Sequence, residues 1–229
     1  MSASQPRAHD LRRGDSLVST RAKEAARALL VPAVRLAMAL HLTPNAITVF
    51  GFGVVIAAAL LIGTGNLLAG AAVLTAGSLL DAVDGALARA TGVSSAFGSF
   101  LDSTLDRAAE AVLYGGIAAY YLQVAPEPAT PVLLALLALA GSFMVSYTRA
   151  RAEGIGLTAS VGLAPRLERL VLIVLGIGLA GLGFEIGLIG ALTIIAVLSV
   201  ATTVQRIWHV HRLSTALPGG PTGTTTREN

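Results

Sequence analysis

Asp81-Ala82-Val83-Asp84-Gly85-Ala86-Leu87-Ala88-Arg89, answered by Gly98-Ser99-Phe100-Leu101-Asp102-Ser103-Thr104-Leu105-Asp106, is the stretch around which the chain is organised. Four aspartates and an arginine fall within 26 residues, and long apolar runs flank them on both sides. A carboxylate at the centre of a membrane helix costs roughly 2.5–3.5 kcal/mol on insertion scales, so four without partners cost on the order of 10 kcal/mol. Such residues are expected to line a polar cavity or to hold cations rather than to face lipid.

The flanking sequence makes a membrane the relevant solvent. The 229 residues are 54% hydrophobic and 13% charged, with a mean hydropathy of +0.74, whereas a typical soluble domain is about 25% charged. Cysteine is absent, which excludes disulfides and thiolate metal sites. Met1 to Arg27 mixes acids and bases without an early apolar core, unlike a secretory signal peptide. Residues 1–15 read as a disordered tail. Residues 16–42, where Arg21 and Arg35 interleave with Ala, Leu and Val, read as an amphipathic helix on the membrane surface. Thr43-Pro44-Asn45 then breaks the pattern, with Thr43 suited to an N-cap and Pro44 to a first helical position. Six spans follow, at about 45–64, 67–90, 94–122, 130–153, 165–183 and 187–208, each judged against the roughly 20 residues a bilayer needs. The fold class expected is therefore an all-α integral membrane protein, with six transmembrane helices preceded by an amphipathic surface helix. Its six-helix domain covers 43–212, and a disordered tail covers 213–229.

Charge placement orients it. Arg89, Arg149, Arg151, Arg166, Arg169, Arg206 and Arg212 sit at one set of helix ends, with the basic N-terminus, while the loops near 64–67, 123–130 and 183–187 contain no Lys or Arg. The positive-inside rule then puts both termini and the aspartates on the cytosolic side of a cell membrane. The basic residues form no stripe with interleaved aromatics, so nucleic acid is not an expected partner. Gly183 and Gly187 read as a turn between spans, and Trp208, His209 and His211 as interfacial residues.

At 100° per residue, Asp81, Asp84, Gly85, Ala88 and Arg89 share an arc of about 140° on the second span. Gly98, Asp102 and Asp106 form a stripe at i, i+4 and i+8 on the third. The short link at Thr91-Gly92 predicts that these two helices pack as antiparallel neighbours, acids facing acids. Clustered carboxylates without His or Cys favour Mg²⁺ or Mn²⁺ over zinc, and four suit two divalent ions and displacement at phosphorus. Two rivals use the same residues. Buried ion pairs would need about as many local bases, and only Arg89 and Arg107 are local. A cation- or proton-coupled transporter also uses intramembrane acids, but has no need of two glycines and an arginine at set offsets.

The run Asp81-x2-Asp84-Gly85-x2-Ala88-Arg89-x8-Gly98-x3-Asp102-x3-Asp106 resembles the signature of the CDP-alcohol phosphotransferases. Eight fixed residues at fixed spacings would coincide on the order of 10⁻¹⁰ per register at average composition. The family's six membrane helices after a surface helix, usually as a homodimer, agree with the spans counted above. The resemblance implies transfer of a phosphatidyl-type group from CDP-diacylglycerol to an alcohol, with release of CMP. It further implies that Asp81, Asp84, Asp102 and Asp106 bind two Mg²⁺ or Mn²⁺ ions and that Asp106 is also the general base. By the same resemblance Asn45, Thr48, Gly85, Arg89 and Ser95 would contact the CDP-lipid.

Three further segments bear on the acceptor: Ser146-Tyr147-Thr148-Arg149-Ala150-Arg151-Ala152-Glu153, Pro165-Arg166-Leu167-Glu168-Arg169-Leu170 and Val204-Gln205-Arg206. Three basic sites converging on one cavity suggest an anionic, phosphorylated acceptor, although snorkelling arginines are normal at cytosolic helix ends. These segments are similar to those of actinobacterial-type phosphatidylinositol-phosphate synthases, which use inositol 1-phosphate. Arg149 stands where Lys is usual, and Leu167 where Pro is common. The similarity implies that Ser146, Arg149, Arg151, Arg166, Arg169 and Arg206 contact the acceptor's phosphate. The alternative within the family is glycerol 3-phosphate, giving phosphatidylglycerol phosphate. Those enzymes more often follow the last aspartate with Lys, where this chain has Arg107.

Overall fold

Helix formation starts where Thr43 stops the chain from continuing helically. Its backbone is extended, its Oγ1 accepts a hydrogen bond from the Ala46 amide at 3.2 Å, and Pro44 fills a first-turn position that needs no donor. From there the structure, a computed structural model, is all-helical. It describes residues 31–32, 35, 38–91, 95–163 and 165–215, without the side chains at 82, 84, 85 and 88–91. Six helices follow one another: α1 (Pro44–Gly63), α2 (Leu67–Thr91), α3 (Ala96–Val124), α4 (Ala129–Glu153), α5 (Arg166–Gly181) and α6 (Glu185–Thr215). Positive-φ glycines turn the chain after α1 (Gly65) and between α5 and α6 (Gly183). Most of the expected surface helix over 16–42 lies outside the described residues, although 31–32, 35 and 38–39 are helical.

Helix boundaries agree with the expected spans within about two residues, except at the end, where α6 runs on to Thr215 instead of stopping near 208. Trp208 and Arg212, one turn apart, explain part of that extension: the guanidinium lies 3.7 Å from the indole centroid. Among the described residues α1, α4 and α6 are long and apolar enough to cross a membrane. Of α2 the described stretch Leu67–Asp81 is apolar, whereas α3 is interrupted by Asp102, Asp106, Arg107 and Glu110, and α5 has 16 residues.

Packing closes the helices into a ring. Helix α1 contacts α2 and α3, α6 contacts α4 and α5, and the two triplets join through α3 on α4 and α2 on α5. Among the described residues α2 and α3 do not pack on each other, which corrects the expectation of adjacent helices. A spacing that admits a counter-charge between facing carboxylates is favoured over one that presses them together. Their acidic faces meet instead across a gap that α1 and α5 flank.

One end of the ring is filled and the other is open. Ile62, Ile117, Ile177, Leu188, Leu192 and Ile195 are fully buried and pack together at the end remote from the aspartates. Polar contacts fasten that end. The Tyr120 hydroxyl donates to Glu185 in the first turn of α6, and Gln123 Nε2 donates to the Gly63 carbonyl at 2.6 Å. Helix α3 approaches α1 so closely that a Cβ on Gly116 would lie 2.5 Å from the Ala59 carbonyl oxygen. Replacing Gly116 by Val should therefore force α1 and α3 apart and destabilise by about 1–3 kcal/mol. Gly53→Ala, with nothing within 4 Å of the new methyl, should be neutral or slightly stabilising. Thermal unfolding of the detergent-solubilised variants checks both. Equal melting temperatures for the two would contradict the packing described.

Candidate active site

The open end of the ring gathers acids from two helices. Asp81 comes from just past the middle of α2, and Asp102 and Asp106, one turn apart, from the first part of α3. Their carboxylate oxygens lie within 4.8 Å of one another, and all three residues are partly buried. Asp84, Gly85 and Arg89 lie on the same stretch of α2, with side chains outside the described set.

Three carboxylates this close require positive charge. The first residue of α5 supplies part of it: Arg166 places Nη1 2.7 Å from Asp81 Oδ2 and Nη2 2.6 Å from Asp106 Oδ1. Arg107 adds a longer contact of 3.7 Å to Asp106. Counting bases near in sequence found Arg89 and Arg107 but not this one, since Arg166 is 85 positions from Asp81. One guanidinium reaches two of the three acids. The donor set is all oxygen, with neither imidazole nor thiolate, which is the chemistry of a hard divalent cation such as Mg²⁺ or Mn²⁺. The residues present therefore fit a metal of that class.

Two spaces meet at Asp106 and Arg166. The first is a polar cavity of about 710 Å³, walled by Asp102, Asp106 and five arginines: Arg107, Arg149, Arg166, Arg169 and Arg206. Of the residues singled out for the acceptor, Ser146, Arg149, Arg166, Arg169 and Arg206 line it. Arg151 is exposed and does not. The second is an apolar groove walled by Ile47, Phe52 and Val55 of α1, Leu74 of α2, Leu105 and Leu113 of α3 and Leu170 of α5. Gly51 and Gly77 also line it, where α1 and α2 pack closely: a Cβ on Gly77 would lie 3.3 Å from Val54 Cγ1. Thr48, also on the groove, donates its hydroxyl to the Pro44 carbonyl at 3.0 Å.

Each arginine of the cavity is anchored on one side. Arg149 pairs with Glu153 at 2.8 Å on the same exposed face of α4. Arg206 is buried and donates to the carbonyls of Val161, at 2.8 Å, and Val145. Arg169 reaches Glu110 at 3.0 Å, and Glu110 also holds Arg107 at 3.3 Å. Arg107 in turn donates to Ser146 Oγ. Sequence reasoning gave no role to Glu110 and counted Arg107 only as a local base. The signal was present, because Glu110 continues the Asp102, Asp106 stripe by one more turn.

At the start of α3, Ser95 is the N-cap, its Oγ accepting from the Gly98 amide at 2.9 Å. A Cβ on Gly98 would lie 2.9 Å from Asn45 Oδ1 and 3.1 Å from Ser95 Oγ. Glycine at 98 lets the Asn45 side chain and the Ser95 hydroxyl lie against the start of α3. Asn45, Ser95 and Gly98 form one polar corner beside the acids.

Comparison with known proteins matches this architecture. A family profile described as CDP-alcohol phosphatidyltransferase covers residues 41–215. A phosphatidylinositol phosphate synthase from Streptomyces avermitilis is 38% identical over 222 residues, covering 93% of this chain and 90% of the relative. An archaetidylinositol phosphate synthase from Methanothermobacter thermautotrophicus is 41% identical over 165 residues, covering 72% and 80%. The crystal structure of the Mycobacterium tuberculosis phosphatidylinositol phosphate synthase with CDP-DAG bound has a TM-score of 0.74 at 32% identity, covering 86% of this chain and 98% of that one. The same protein in complex with manganese and citrate gives 0.74 at 32%, covering 86% and 93%. A profile spanning the whole helical ring, and relatives well above 30% identity along most of their length, show that this chain belongs to the CDP-alcohol phosphatidyltransferase family.

Proposed function

We propose that this phosphatidyltransferase moves the phosphatidyl group of CDP-diacylglycerol to inositol 1-phosphate, releasing CMP and forming phosphatidylinositol phosphate. The observation that carries the reading is the junction at Asp106 and Arg166, where an arginine-lined cavity meets an apolar groove. An amphiphile activated at phosphorus needs such a boundary: apolar wall for its lipid part, polar space for its reacting head. Two relatives that differ in the named lipid, phosphatidyl in one and archaetidyl in the other, share inositol phosphate in their names. That supports inositol phosphate as the constant part of the reaction here.

In this reading the acceptor's phosphate lies among Arg149, Arg166, Arg169 and Arg206, with Ser146 beside them, and its reacting hydroxyl points at Asp106. Arg151, exposed on α4, is left to meet ligand or headgroups from outside the cavity. The hydroxyl oxygen bonds to the phosphorus that bears diacylglycerol, the bond from that phosphorus to the bridging oxygen of CMP breaks, and Asp106 takes the hydroxyl proton. Asp81, Asp84, Asp102 and Asp106 would hold two divalent cations, whose chemistry is to neutralise the diphosphate and the leaving CMP. Arg166, which holds Asp81 and Asp106 here, turns its donors to the acceptor once those carboxylates are otherwise neutralised. Asn45, Thr48, Gly85, Arg89 and Ser95 receive the nucleotide side of CDP-diacylglycerol.

The membrane arrangement belongs to the same proposal. All six helices of 43–212 cross, the short or charged α2, α3 and α5 being shielded by their ring neighbours. The segment 16–42 lies on the surface, 1–15 and 213–229 are tails, and two copies form a homodimer. The site and both termini face the cytosol, supported by bases clustered at the acidic end of the ring and none in the opposite loops.

Three measurements on detergent-purified protein test this. Offered inositol 1-phosphate, free inositol and glycerol 3-phosphate separately with CDP-diacylglycerol, the enzyme should release CMP with inositol 1-phosphate. Release with glycerol 3-phosphate alone would keep the chemistry and sink the acceptor. Asp106→Asn should lower CMP release by about 10²–10⁴-fold, the usual worth of a general base, with thermal stability retained; wild-type turnover would remove Asp106 from that role. Chelation of divalent ions should abolish release, and added Mg²⁺ or Mn²⁺ should restore it. Full activity in excess chelator would count against the metal reading.

A further inference from the structure

Glu110 touches two of the five arginines that wall the polar cavity without lining that cavity itself. Its side chain is only 14% exposed, and its two oxygens are divided between two helices: Oε1 lies 3.0 Å from Arg169 Nη2 on α5, and Oε2 lies 3.3 Å from Arg107 Nε on its own helix. Helices α3 and α5 do not pack on each other among the described residues. The spacing between these two guanidinium groups is therefore bridged by this carboxylate rather than by backbone contact. Arg166 and Arg169, three apart on α5, meet Asp106 and Glu110, four apart on α3, as two rungs of one ladder. The first rung lies at the reacting acids. The second lies one turn deeper, where Glu110 borders the apolar groove rather than the polar cavity.

We propose that Glu110 is a positioning residue for the acceptor: it fixes Arg107 and Arg169 so that their remaining donors face the cavity and bind the acceptor's phosphate. The proposal rests on reading the cavity as the seat of a phosphorylated alcohol. Two guanidinium groups held on one buried carboxylate form a pre-oriented anion site, because neither must be ordered when the ligand arrives. Arg107 is fixed further by its hydrogen bond to Ser146 Oγ, which ties α4 into the same corner. Glutamine at position 110 keeps the size but can accept through one oxygen only, and its amide would present a donor to the other guanidinium. Aspartate keeps the charge on a stem shorter by one methylene.

The test is steady-state CMP release by wild type, Glu110→Gln and Glu110→Asp, varying CDP-diacylglycerol and inositol 1-phosphate in turn, with thermal unfolding alongside. Expected for Glu110→Gln is a rise of roughly tenfold in the KM for inositol 1-phosphate, the order of one lost contact to a buried charge. The KM for CDP-diacylglycerol and kcat should stay within about threefold. Glu110→Asp should recover part of the loss. If wild type uses only glycerol 3-phosphate, the same pattern is expected in the KM for that phosphate. Turnover of wild type with a phosphate-free alcohol would instead overturn the reading on which the proposal rests. An unchanged acceptor KM, or equal losses toward both substrates, would overturn the proposal alone. Failure of both variants to fold would make Glu110 a structural brace and overturn it too.

Discussion

Carboxylates crowded at the open end of a helical ring set the terms for the rest of this protein. Asp81, Asp102 and Asp106 bring their oxygens within 4.8 Å of one another, on helices flanked by apolar sequence. Such a cluster repels itself and is poorly solvated, so it persists only where positive charge can reach it. Arg166 crosses from α5 to do so. Among the described residues α2 and α3 do not pack on each other, and their acids face one another across a gap. The helices that carry these groups show the cost: α3 is interrupted by Asp102, Asp106, Arg107 and Glu110, and α5 has 16 residues, whereas α1, α4 and α6 are long and apolar.

The ring divides its labour along its axis. At the far end, branched aliphatic side chains fill the interior, and small residues let helices approach to backbone distance, as Gly116 does on α1. That end makes the fold rigid and needs few polar contacts beyond Tyr120 with Glu185 and Gln123 with Gly63. At the near end the helices splay around two spaces of opposite character, one apolar and one lined with arginine, which share Asp106 and Arg166. A rigid base with an open polar mouth suits a reaction between a lipid and a water-soluble alcohol, since each substrate arrives from its own solvent.

The arginines of the mouth are not loose surface charges. Arg149, Arg169 and Arg206 are each tied to a partner, Glu153, Glu110 or backbone carbonyls. Anchoring one edge of a guanidinium leaves its geometry defined while other donors remain for a ligand. Burial of Arg169 and Arg206 separates them from ordinary positive-inside decoration, where flexible side chains snorkel to the headgroups. Arg151, exposed and outside the cavity, is the residue of the group that resembles such decoration.

Much of this was legible in the chain alone. Thr43-Pro44 announced the start of α1, the glycine turns separated the helices, and the i, i+4, i+8 stripe on α3 placed Asp102 and Asp106 on one face; each is a local property, set by backbone sterics and helical period. The aspartate spacing was also local enough to identify the family. Three things were not legible. That α2 and α3 do not pack on each other among the described residues depends on where α1 and α5 insert. That Arg166 answers Asp81 depends on contacts between residues 85 positions apart. That Glu110 supports Arg107 and Arg169, while Arg151 stays outside, depends on which way each helix is rotated in the ring. Sequence determines the period and the caps because they are decided within one or two turns. Partners across the ring are decided only when all six helices compete for the same interior, and no local pattern records that outcome.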